Sequence, residues 1–128
     1  MAEVEQIPTY EGLRGILADI HRLLVRHDAG QQESVLEALR VVETSDHNAI
    51  KKCLNTLDFW GGAGSVSDLT LTEIPWTPEF RRDVADDNKL TLLELDLIAE
   101  MEKLGIAEAR ALGRKKDITW IADRYGLL

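Results

Sequence analysis

The sequence predicts an all-α fold: one domain over residues 1–128, built of five or six helices, with one short extended segment near residues 69–72. Three observations carry that prediction. Apolar residues recur at helical spacing through most of the chain, strand-like alternation occurs once, at Leu69-Thr70-Leu71-Thr72, and no internal repeat is present. A length of 128 residues suits a single modest core, and 45% apolar with 30% charged residues excludes wholesale disorder.

The first helix is expected over residues 9–27. Stepping 100° per residue from Leu13 gathers Tyr10, Ile16, Leu17, Ile20, Leu23 and Leu24 on one side. Arg14, Asp19, Arg22 and Arg26 take the other, and Gly30 is the expected stop. A second helix, residues 31–43, rests on Val35, Ala38, Leu39 and Val42. Ser45 or Asp46 can cap a third, whose inward face is Ile50, Cys53, Leu54 and Leu57 and which ends at the glycines. Pro75 and Pro78 place residues 75–88 in a loop with a helical turn at most.

The strongest signal follows. Leu90, Leu93, Leu97, Met101 and Leu104 form one stripe, with Leu92, Leu95 and Ile98 beside it, so the helix over residues 90–104 should be central. Thr91 and Glu94 have capping-box spacing, and Gly105 sits at the C′ position. Two shorter helices complete the chain: residues 107–112, and Asp117 as N-cap to Tyr125, with Gly126 as the stop.

The stretch Asp58-Phe59-Trp60-Gly61-Gly62-Ala63-Gly64-Ser65-Val66-Ser67-Asp68 fits no catalytic template. It lacks the lysine of a phosphate-binding P-loop, the strand and third glycine of a dinucleotide fingerprint, and the G-x-S-x-G of a nucleophile elbow. It reads as a structural turn: Gly61 or Gly62 in a left-handed position, Gly64 aiding the reversal, and Asp68 bonding backbone amides. The alternative is a small hydrolase using the 64–68 turn. His21 and His27 lie about 120° apart on one helix and cannot clamp one metal. His47 is expected to cap, and Cys53 to be a buried thiol. Catalytic residues, a metal site and a cofactor are all expected to be absent.

The formal net charge is −8, and acidic stretches repel a phosphate backbone, so nucleic acid is not the expected partner. Only the last segment is net basic, with Arg110, Arg114, Lys115, Lys116 and Arg124 against Glu108, Asp117 and Asp123. No apolar run approaches the roughly 20 residues a bilayer span needs, so no membrane contact is expected. The acidic opening without an apolar core predicts no secretory signal, and a lone cysteine fits a reducing compartment. Cytoplasm is the expected location.

The stretch Gly61-Gly62-Ala63-Gly64-Ser65-Val66-Ser67-Asp68-Leu69 resembles the segment GG-x-GS-x-[NS]-DL of a family of small, mostly helical bacterial proteins of undefined activity. Some members of that family look like immunity proteins of polymorphic toxin systems. Where the family segment carries Asn before the Asp, this chain has Ser67. The resemblance implies a non-enzymatic protein that binds and occludes a cognate toxin, its partner being a basic toxin domain. The expected contact residues are Asp83, Asp86 and Asp87 with Trp76 as the apolar anchor, then Asp96 and Glu100, and Trp120. Charge reversal at Asp86 and Asp87 should then slow association without loss of thermal stability. The rival reading is a homodimeric structural or regulatory protein that pairs through exposed aromatics.

Overall fold

The computed structural model describes residues 9–60 and 80–128, the side chains of residues 57, 58 and 80–83 excepted. The glycine turn (Gly61, Gly62, Gly64, Asp68), the segment 69–72 and Trp76 lie outside the described residues. Among the described residues six helices follow one another: α1 (Glu11–Arg26), α2 (Gln32–Glu43), α3 (His47–Leu54), the single turn α4 (Leu57–Trp60), α5 (Phe80–Lys103) and α6 (Ala109–Arg124). No strand occurs among the described residues. The fold is all-α, as the apolar periodicity requires.

α1 packs between α2 and α5, and α5 also supports α6; α2 leads into α3, and α4 reaches α6. The α1 face is as spaced in the sequence: Leu13, Leu17, Ile20, Leu23 and Leu24 are buried, with Tyr10 and Ile16 packed at the margin. Val35, Ala38 and Val42 bury from α2, with Leu39 against the core edge. On α5, Leu90, Leu93, Leu97 and Met101 are buried, and so is Ile98 beside the stripe. That helix is covered on two sides, which makes its apolar residues the centre of the bundle.

Helix ends follow hydrogen-bond accounting. Gly105 adopts φ +73°, its N–H donating to the Glu102 carbonyl while the Ile106 N–H donates to Met101. This is a Schellman stop, open to glycine because it has no Cβ to clash. Gly126 repeats it at φ +68°. The stop of α1 falls earlier than Gly30: Asp28 takes the left-handed position at φ +49°, with Asp28 and Ala29 donating to Val25 and Leu24. Asp46 is the N-cap of α3, its carboxylate accepting from the Ala49 N–H at 3.1 Å. His47 instead places Nδ1 2.9 Å from the Tyr10 hydroxyl, and Cys53 is only half-buried.

Three boundaries differ from the sequence reading. The third helix breaks after Leu54. Asn55 is buried there, its amide donating to the Lys51 and Ile106 carbonyls and its Oδ1 accepting from the Glu108 N–H. The Trp60 indole N–H takes the Leu54 carbonyl at 2.6 Å, so Trp60 plugs the helix end. The central helix begins at Phe80, so residues 80–88 are helical rather than loop. Thr91 and Glu94 are therefore interior, and Thr91 Oγ1 donates back to the Asp87 carbonyl instead of capping.

The last two expected helices are one. α6 runs unbroken through Gly113 and Asp117, because Ala111, Ile118 and Ala122 bury on both sides of the glycine. A helical glycine costs only about 1 kcal/mol relative to alanine, less than that burial returns. Asp117 pairs with Arg114 at 3.2 Å rather than capping a new helix.

Leu97 is fully buried at the centre of α5. Leu97→Ala should therefore lower unfolding free energy by about 2–5 kcal/mol in urea titration; a loss below about 1 kcal/mol would contradict the two-sided packing of α5.

Candidate functional site

Two surfaces carry the residues singled out in the sequence, and the structure treats them differently. The first is the acidic run at the start of α5. Asp83, Asp86 and Asp87 lie on that helix, not in a loop. Asp86 is only 6% exposed. It accepts from Arg26 Nη1 with both oxygens at 3.1 Å and lies 2.7 Å from His27 Nε2, tying α5 to the C-terminal turn of α1. Burial alone would push the Asp86 carboxyl up, but the hydrogen bonds from His27 and Arg26 and their charges outweigh it and hold it below its ordinary value. Asp86 thus binds its own chain. Its charge reversal would remove an internal pair and cost stability, contrary to the expectation of a neutral surface change.

Asp87 is half-buried, and Asp96 is exposed. The Glu100 carboxylate lies against the first turn of α1, where a Cβ on Gly12 would meet its Oε1 at 2.7 Å. A carboxylate is favoured there by the positive end of the helix dipole. Glu100 is consequently turned inward, with its side chain 19% exposed. The structure does not gather Asp86, Asp96 and Glu100 into one open acidic face.

Glu94, read from the sequence as a capping residue, is buried on the side of α5 that faces Arg114 of α6. Its Oε1 has no hydrogen-bond partner among the described residues. Burial pushes its carboxyl up to about 8, opposed by the Arg114 charge and reinforced by that of Asp87. Near neutral pH the group is chiefly the neutral acid. No group of three or more His, Cys, Asp or Glu able to hold a metal ion occurs among the described residues.

The second surface is the outer side of α6. Trp120 is 62% exposed there, while Ile118 and Ala122 on the same helix point into the core. The Arg124 guanidinium stands 5.3 Å from the Trp120 ring centroid, within cation–π range. Leu112 and Leu128 flank the indole, and an open groove of about 680 Å³ runs between them, lined also by Lys115, Lys116, Thr119 and Asp123. Lys115 Nζ bonds Glu102 Oε1 of α5 at 2.7 Å, fixing the groove wall to the bundle.

Of the expected contact residues that the structure describes, Trp120 alone keeps a large exposed apolar surface. The lining residues were missed in the sequence because Gly113 and Asp117 were read as a break. In one continuous helix Leu112, Lys116, Trp120 and Arg124 fall four apart on a single stripe, and that spacing was available. No family model matches this chain, and no curated protein or solved structure matches it.

The buried acid generates a pH prediction. Below pH about 4 both folded and unfolded chains hold the Glu94 proton, and no penalty arises. Between about 4.5 and 8 the unfolded chain has released a proton that the folded chain retains, so stability falls as pH rises and levels off above that range. Glu94→Gln should gain on the parent protein across this window, by on the order of 1 kcal/mol per pH unit, in urea titrations at pH 5, 6, 7 and 8. A difference independent of pH would contradict the buried-acid assignment.

Proposed function

We propose that this chain is a non-enzymatic protein-binding protein that uses the outer face of α6. The observation that carries this reading is Trp120, an indole left 62% exposed in a helix whose other face is fully used. Tryptophan is among the residues that dominate binding energy at interfaces, with arginine, and Arg124 stands beside it. Leu112 at 39% exposure extends the apolar surface. A contiguous exposed apolar patch rimmed by polar residues marks an interaction site.

An immunity protein that occludes a cognate toxin is the specific form of this reading, and it rests on the resemblance of the segment at residues 61–69. Occlusion requires a rigid surface rather than reacting groups, and a helix pinned by buried Ala111, Ile118 and Ala122 supplies one. No helix among the described residues is long and apolar enough to cross a membrane. Homodimerisation is the second reading, since the same exposed indole could pack against a second copy.

Co-expression with the protein encoded by the adjacent gene tests the proposal. A stable complex on size exclusion, with affinity lowered about tenfold or more by Trp120→Asp, is the expected result. Absence of any complex, or a complex indifferent to Trp120→Asp, would refute it.

A further inference from the structure

We infer that the α6 groove takes an acidic amphipathic segment of a second protein, an inference that rests on the protein-binding reading and fixes the chemistry of its partner. The groove has an apolar floor and a positive rim. Leu112, Trp120 and Leu128 supply the floor, Lys116 and Arg124 stand at its edge, Lys115 is held by Glu102, and Asp123 is the one acid in the lining. Lys116 is exposed and has no ion-pair partner among the described residues, so its charge is available to an incoming carboxylate. Arg124, stacked near the indole, keeps a planar donor edge suited to a bidentate carboxylate contact. A helix with apolar residues on one side and Glu or Asp on its flanks matches both features at once.

Charge selects this occupant over two others. In a symmetric pair of α6 helices with the two-fold axis at Trp120 and the helices antiparallel, Lys116 would face Arg124 of the other copy and Asp117 would face Asp123. With parallel helices each of these residues would face itself. Both arrangements set like charges together, which opposes pairing. An anionic bilayer would meet the basic rim, but it would also meet a chain of net charge −8. Lys116 and Arg124 lie about two turns apart on one helix face, so a partner of limited footprint fits them better than an extended charged sheet. The partner element assigned to this face is opposite in sign to the basic toxin domain expected from the sequence.

The test uses the full chain and a designed peptide of about four helical turns, with Leu and Phe on one face and Glu along both flanks, beside a twin carrying Lys in place of each Glu. Binding is followed by ¹H–¹⁵N NMR titration. The Glu peptide is expected to shift the α6 amides and the Trp120 indole signal, to weaken as salt rises, and to lose about tenfold or more in affinity in Trp120→Ala and several-fold in Lys116→Glu. Circular dichroism should be unchanged in both variants. Equal binding of both peptides would overturn the acidic assignment while leaving the protein-binding reading intact, and preferential binding of the Lys twin would reverse it. Failure of both peptides to bind would overturn the inference. Concentration-dependent dimerisation abolished by Trp120→Ala would assign the groove to a second copy instead, and Trp120-dependent binding to phosphatidylglycerol vesicles would assign it to a membrane.

Discussion

The burial of α5 between α1 and α6 is the constraint on which the rest of the structure depends. Leu90, Leu97, Ile98 and Met101 fill the centre of the bundle, and α1 answers them with Leu13, Leu17, Ile20 and Leu24. On the other side α6 can offer only Ala111, Ile118 and Ala122, a narrow inward face of mostly small residues. A helix with so thin a core-facing strip turns most of its circumference outward. Trp120 stands on that outward side, so the exposed groove is a consequence of how α5 is covered.

Polar groups set the joints of this frame. Asn55 occupies the break between α3 and α4 and reaches both the carbonyl of Ile106 and the N–H of Glu108, locking the start of α6 to α3. Asp86 joins the first half of α5 to the end of α1 through His27 and Arg26. Asn55 satisfies backbone groups that would otherwise be unpaired, whereas Asp86 pairs with side chains alone, and both fix how the helices meet. Glu94 is the exception, a buried acid held neutral by desolvation at the α5–α6 contact.

The all-α class and the inward faces of α1, α2 and α5 were legible from residue spacing, because burial of one apolar face imposes its period on the sequence. Gly105 and Gly126 were legible as stops, since a left-handed turn selects glycine. What spacing could not reveal was decided by contacts distant in the chain. The polar run through residues 80–88 has little apolar period, and Asp86 is anchored by partners on α1 instead. Gly113 looks like a break locally, yet packing on either side carries α6 across it. Of the expected contact residues, Trp120 emerged exposed, whereas Asp86 and Glu100 are engaged within the chain because the sequence shows charges but not their partners.

Two alanine substitutions on α6 separate the role of its two faces most directly. Ile118 is 2% exposed and Trp120 62% exposed, and they lie two residues apart on opposite sides of one helix. In urea titration Ile118→Ala should cost about 2–5 kcal/mol, while Trp120→Ala should stay within about 0.5 kcal/mol of the parent. A Trp120→Ala loss as large as that of Ile118→Ala would place the indole in the core and contradict the assignment of α6 as a free contact face.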